Sequence, residues 1–228
     1  MSQFQIVIPL YQGVTHLDFT GPHQVFARLP HTTVVVASMG GQDIVADGLT
    51  FSNLADLSKV EGCDLICVPG GMGTTDAMLD EAFMGEIRRL GGGAKYLTSV
   101  CTGSLILAAA GFLQGKRVAC HWAWRELLVP FGAIVDERRV ARDGDIITGG
   151  GVTAGLDFAF VVAAELAGEA MAQSIQLGLE YAPAPPFDAG RPELAPPEIR
   201  ERVMSLMASA MEGRRFAAQT AADRLTPA

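Results

Sequence analysis

The chain has 228 residues, 49% hydrophobic and 18% charged, which is enough for one sizeable α/β domain with a large core and a small appendage. A net charge of −8 and a pI near 5.0 exclude nucleic acid as a partner, and the short Arg138-Arg139 and Arg214-Arg215 pairs do not reverse this. Four cysteines point to reduced thiols in the cytoplasm rather than a disulfide scaffold, Met1 to Ile8 lacks the basic and apolar regions of a secretory signal, and no apolar run reaches membrane-spanning length.

Phe4 to Leu10 reads as a first strand, apolar enough to be buried on both faces. A loop with Gly13, Thr15, His16 and Asp18 follows, and Pro22 fits the first turn of a short helix reaching Leu29, capped by Thr20 or Gly21. Val34 to Ala37 is a second strand. Ile44 to Ala46 and Gly48 to Phe51 form a hairpin or edge piece. Asp64 to Val68 is a core strand stopped by Pro69-Gly70-Gly71. Asp80 caps a helix whose Phe83, Ile87 and Leu90 share one face and which Gly91 ends. Lys95 to Val100 is a strand leading to Cys101, and Ser104 to Ala110 a helix. Lys116 to Cys120 is a strand, and His121 to Leu128 a helical turn or two. Asp143-Gly144 joins two short strands between Val140 and Ile147. Thr148-Gly149-Gly150-Gly151 opens a helix carrying Val152, Leu156, Phe160 and Ala163, and a second helix runs from Glu169 to Tyr181. Pro183 to Pro197 is an irregular proline-rich connector, and Glu198 to Leu225 an amphipathic helix for the domain body or a second subunit. Strands alternating with helices predict an α/β sandwich over residues 1–182, with a mostly parallel sheet and an extension over 183–228.

Cys101 sits where a strand turns sharply into a helix. That geometry exposes a side chain above the sheet edge, and the helix amide end favours a thiolate. A nucleophile is the sharp reading and a buried structural cysteine the plain one. In doubly wound sheets sites lie beyond the carboxyl ends of the strands. The Asp18 loop, the Pro69-Gly70-Gly71 loop, the elbow at Cys101 and Gly149-Gly150-Gly151 all fall there. Their glycines allow amides to face a ligand, or serve only as tight turns. Gly71-Met72-Gly73-Thr74-Thr75-Asp76 has Asp where a dinucleotide fingerprint needs its third Gly, and no P-loop Lys follows a glycine turn. The four His are scattered, and Cys63 and Cys67 read as core thiols, so no metal site is expected. No base lies beside Cys101 in sequence. His121, at a neighbouring strand end, is a possible site member. Asp18 is the better partner, because a carboxyl in a desolvated pocket stays protonated and donates; its plain role is helix capping.

Five segments carry a resemblance to the PfpI-like superfamily, with its class I glutamine amidotransferase-like, flavodoxin-like fold. They are Leu17 to Pro22, Val68 to Gly71, Ser99 to Ser104, Cys120-His121-Trp122 and Thr148 to Asp157. Gln176 to Phe187 extends the likeness to the isocyanide hydratases of that superfamily. Peptidase and deglycase members carry Glu on the first-strand side and often His after the nucleophile; this chain has Asp18 and Thr102. The resemblance implies a three-layer α/β/α sandwich, a homodimer, no metal or organic cofactor, and hydration of a small-molecule isocyanide to an N-substituted formamide. It implies Cys101 as nucleophile forming a thioimidate and Asp18 as general acid and base, protonating the nitrogen and then activating water. The Thr102 hydroxyl would tune the thiolate, and amides of Gly70, Gly71, Gly150, Gly151 and Val152 would line the pocket. The rival expectations are a ligand-sensing module like those of AraC-type regulators and a glyoxalase-type hydratase. The residues after Pro197 make one helix, too little for a DNA-binding region.

Overall fold

The computed structural model describes residues 3–225. Its strands are β1 (Phe4–Leu10), β2 (Thr32–Ser38), β3 (Ile44–Ala46), β4 (Leu49–Phe51), β5 (Ala55–Asp56), β6 (Leu65–Val68), β7 (Tyr96–Val100), β8 (Arg117–Val118), β9 (Ile134–Val135), β10 (Val140–Asp143) and β11 (Ile146–Gly149). Its α-helices are α1 (His16–Phe26), α2 (Thr74–Ala77), α3 (Glu81–Gly93), α4 (Gly103–Ala109), α5 (Ala154–Ala167), α6 (Glu169–Gly178) and α7 (Pro197–Leu225), with a 3₁₀ helix at Arg125–Phe131.

The central sheet runs β10-β11-β7-β6-β1-β2-β5. All its pairings are parallel except β10 with β11, closed by a turn at Gly144-Asp145, since Asp143 itself pairs with Ile146. The chain moves from β1 outward to β2 and then returns to the other side of β1 as β6, so a switch point lies there, where such sheets bind ligands. β6 and β11 are buried end to end and β1 over its last five residues, as expected of strands covered on both faces. Register places the site: Val68 pairs Ser99 and Val100 pairs Gly149, so Pro69-Gly70, Cys101 and Gly150 leave the sheet side by side.

Several boundaries differ from the sequence reading. Helix α1 starts at His16, not near Pro22, so Asp18 lies in its first helical turn rather than in a loop and caps nothing at Pro22. Thr15 in extended backbone begins the helix, and an acid in the first turn suits the exposed amides. Pro22 sits inside the helix, lacking only the amide that would reach the Asp18 carbonyl. The Lys116 strand shrinks to two residues, and the turns expected from His121 begin at Arg125 and end at Gly132, φ +70°. Helix α6 stops at Gly178. The C-terminal half of α7 lies on the body: Ala217, Ala218, Ala221 and Ala222 are buried, against α4 and the 3₁₀ helix. Among the described residues no helix is long and apolar enough to cross a membrane.

Candidate active site

Cys101 is the one residue of the elbow whose backbone is bent against its side chain. Its φ is +59°, a left-handed conformation that costs a non-glycine residue about 1–3 kcal/mol. Two contacts enforce it: the Cys101 amide donates to Gly150 O at 2.7 Å and to Gly149 O at 3.1 Å. Gly103 permits the close turn, since a Cβ there would stand 2.0 Å from the Val68 carbonyl. Ser104 braces the other side, its hydroxyl donating to Ala119 O at 2.6 Å. Cys101 as a whole is 5% exposed.

Asp18 reaches this thiol from α1 and is fully buried. The Gly70 amide donates to its Oδ2 at 2.9 Å, whereas Oδ1 has no hydrogen-bond partner. Burial pushes the carboxyl up to about 7, against the pull of the Gly70 amide and of the Cys101 thiol. Burial likewise raises Cys101, reinforced by the neighbouring Asp18 and Cys120, while the Thr102 amide draws it down. The helix end draws the thiol down as the sequence suggests, through the Thr102 amide, but burial works against it. Desolvation outweighs the local dipole, and thiol and carboxyl hold protons as a pair.

Thr102 does something other than the sequence predicts. Its hydroxyl accepts the Gly71 amide at 3.0 Å and lies 2.8 Å from the Thr74 hydroxyl, and none of its hydrogen bonds reaches Cys101. Thr74 continues to the Tyr11 hydroxyl at 3.0 Å, which donates to Pro69 O at 2.9 Å. The amides of Gly70 and Gly71 are thus taken by Asp18 and Thr102 rather than free for a ligand. The Gly150 amide is also taken, by Arg139 O at 2.8 Å. Gly70 admits no side chain: a Cβ would stand 2.4 Å from Thr102 N and 2.9 Å from Asp18 Oδ2.

Gly150, Gly151 and Val152 border a cavity of about 250 Å³ next to the elbow, shared with Cys120, His121, Trp122 and Arg191. The amides of Gly151 and Val152 find no backbone acceptor among the described residues. His121 stands against Gly151, accepts the Ala123 amide at Nδ1 (3.3 Å), and is held near pKa 4 by burial and by Arg214. It is neutral at pH 7 and makes no hydrogen bond to Cys101. Among the described residues no cluster of three His, Cys, Asp or Glu could hold a metal ion.

Sequence reasoning missed Tyr11, Thr74 and Arg214. Arg214 had a signal: it lies three, four, seven and eight residues before Ala217, Ala218, Ala221 and Ala222, on the buried stripe of α7. Weighing it only as part of a short basic pair overlooked that spacing.

A parallel α/β sandwich with a strained cysteine elbow and a buried acid beside it defines a class of cysteine-centred α/β proteins. The chain belongs to the DJ-1/PfpI family, which matches residues 4–165. It is 45% identical over 225 residues to an isonitrile hydratase of Pseudomonas putida, covering 97% of both chains. A THiJ/PfpI family protein of Pseudomonas syringae superposes with a TM-score of 0.92 at 38% identity, over 96% of this chain and 91% of that one. Drosophila melanogaster DJ-1beta superposes at a TM-score of 0.71 and 27% identity, over 80% of this chain and all of that one.

Proposed function

We propose that this protein is an isonitrile hydratase, an enzyme that converts R–NC and water to R–NH–CHO with Cys101 as nucleophile and Asp18 as proton carrier. The observation that carries the reading is the Asp18 carboxyl, buried beside the Cys101 thiol with one oxygen unpartnered and no histidine bonded to the sulfur. The 45% identity to the Pseudomonas putida isonitrile hydratase over nearly the whole chain supports the substrate class.

The terminal carbon of an isocyanide accepts a soft nucleophile. Cys101 Sγ bonds to it, and the carbon then carries the lone pair that must be protonated. The one proton left on the Cys101–Asp18 pair goes to that carbon, giving the thioimidate R–N=CH–S and leaving Asp18 ionised. This places the first proton on carbon, where atom balance requires it, rather than on nitrogen. Water then adds to the same carbon, one of its protons passing through Asp18 Oδ1 to nitrogen. Collapse of the adduct breaks C–S, and the hydroxyl proton returns to the Asp18–Cys101 pair. The Thr102 amide faces Sγ and steadies its charge. The Gly151 and Val152 amides and the adjoining cavity accommodate the rest of the substrate.

The reading includes a cytoplasmic homodimer. Four free cysteines support the compartment, and Ile199, Leu206 and Phe216, exposed along α7, offer a surface for a second copy. The test is incubation with several alkyl and aryl isocyanides, following formamide by mass. Turnover that disappears in Cys101→Ala is the expected result, and none with any isocyanide overturns the assignment.

A further inference from the structure

Among the described residues Arg214 is the most deeply buried cation, 1% exposed, and no carboxylate there pairs with it. Two of its guanidinium nitrogens, Nε and Nη2, are nonetheless engaged. Nη2 donates to Gly71 O and to Met72 O, both at 3.0 Å, and Nε to Thr75 Oγ1 at 3.2 Å. Its Cζ lies over the Trp124 ring, 4.1 Å from the centroid. Burying a guanidinium without an anion is costly, and carbonyls plus an aromatic face offset only part of that cost. Nothing about packing α7 requires such a residue. The alanines around it bury the same stripe without charge.

What Arg214 grips explains its presence. Gly71 O is the carbonyl of the residue whose amide holds the Thr102 hydroxyl, and one residue earlier the Gly70 amide holds Asp18. The planes that carry both amides are held at their own carbonyls, Pro69 O by the Tyr11 hydroxyl and Gly70 O by the Thr15 amide, and Arg214 pins the next two carbonyls, Gly71 O and Met72 O, so that the turn cannot swing about its far end. Nη2 alone spans the two successive carbonyls while Nε of the same rigid plane reaches Thr75 and the guanidinium rests on Trp124; an ammonium, a point donor without a planar face, cannot hold that whole set. The titratable groups that feel the guanidinium's charge are Tyr11, Cys101, Cys120 and His121, the first three with their ionisation pushed up by burial and His121 held neutral. Its charge therefore remains available to a site where a thiolate forms.

We propose that Arg214 is a positioning residue of the active site: from the C-terminal helix it locks the Gly70-Gly71 turn that orients Asp18 and Thr102. The proposal rests on the roles given above to Cys101 and Asp18. It also makes α7, which lies outside the family match at residues 4–165, part of the catalytic structure.

The test compares Arg214→Lys and Arg214→Met with wild type, taking Arg215→Ala, an exposed neighbour, as control. Loss of kcat by about tenfold for Lys and about a hundredfold for Met is expected, with KM within about threefold, as misplacement of reacting groups produces. Freed from Gly70, Asp18 also titrates higher, so the acid limb of the pH profile moves up. A merely structural role lowers Tm and leaves that limb unmoved below the transition, and this result overturns the proposal. If Met does not fold, Lys decides alone, since it keeps the charge and loses the fork. The pH dependence of Cys101 alkylation by iodoacetamide, read by mass, needs no isocyanide. It tests Arg214 even if hydration fails, and an alkylation profile equal to wild type in both variants overturns the proposal.

Discussion

Gly70 donates its amide to Asp18 Oδ2 at 2.9 Å while the other oxygen of the same carboxyl, Oδ1, is buried with no partner. The two residues lie on opposite sides of the switch point, one in α1 and one after β6. A carboxylate satisfied on one side only, in a dry site, holds its proton more tightly than a solvated one. It is poised to exchange that proton with whatever lies against Oδ1.

Asp18→Asn keeps an acceptor for the Gly70 amide but removes the exchangeable proton. Formamide production should fall by about 10²–10⁴-fold, the span of general acid–base catalysis. The measurement is kcat at saturating isocyanide. Activity within about threefold of wild type would remove Asp18 from the proton path.

The same group sets opposite pH trends for stability and activity. Asp18 is raised from 3.8 to about 7 in the folded protein. An acid raised on folding stabilises fully below its unfolded value and loses that contribution as pH climbs to the folded one. Wild type should therefore lose up to about 4 kcal/mol relative to Asp18→Asn between pH 4 and pH 8, seen as diverging denaturant midpoints. Parallel midpoints across that range would show that the carboxyl is not desolvated.

Activity runs the other way. Below the transition both thiol and carboxyl are protonated and no nucleophile is available; above it the pair keeps one proton, the state that reacts. kcat/KM for an uncharged isocyanide should rise with a midpoint near 7 and then level off. The limb should vanish in Asp18→Asn. A profile already flat from pH 5 would mean that the reactive state forms without Asp18 ionising.

The strands were legible because buried parallel strands read as apolar runs bounded by glycine and proline: Phe4–Leu10, Leu65–Val68 and Tyr96–Val100 appear nearly as they fold. Cys101 was legible for the same reason, since a strand that ends in Cys-Thr-Gly and resumes as a helix leaves one geometry for that cysteine. The register of α1 was not, because Pro22 imitates a helix start when its interior position is tolerated at the loss of one hydrogen bond. Amide direction was not legible either. Gly70 and Gly71 looked open to ligand, yet their amides belong to Asp18 and Thr102, residues far away in the chain. Arg214 was hidden because it entered only as part of a short basic pair, when its helical spacing placed it inside.

Gly70→Ala should abolish activity while the fold persists at reduced stability. The added methyl meets Thr102 N at 2.4 Å and Asp18 Oδ2 at 2.9 Å, so the site itself must yield. Gly103→Ala meets the Val68 carbonyl at 2.0 Å, backbone against backbone, and should cost more stability, beyond about 3 kcal/mol. Soluble yield and Tm separate the two. A Gly103→Ala protein as stable as wild type would mean that the elbow has room it does not show.

Thr102 distinguishes tuning of the thiol from support of the loop. Thr102→Val matches the side chain in shape and removes only the hydroxyl, which leaves the Gly71 amide without its acceptor and Thr74 without one of its two partners. A buried donor so orphaned costs about 1–3 kcal/mol. Thr102→Ser restores the hydroxyl and should restore the stability. Because no bond runs from that hydroxyl to Cys101, the pH dependence of Cys101 alkylation should stay as in wild type in Thr102→Val, measured below its lowered Tm. A shifted alkylation profile would instead revive direct tuning of sulfur by the hydroxyl. Pairing the substitution with Thr74→Val completes the argument. The two hydroxyls share one hydrogen-bonded chain, so their effects on unfolding should couple by about 0.5–3 kcal/mol, whereas simple additivity would dissolve the chain into unrelated contacts.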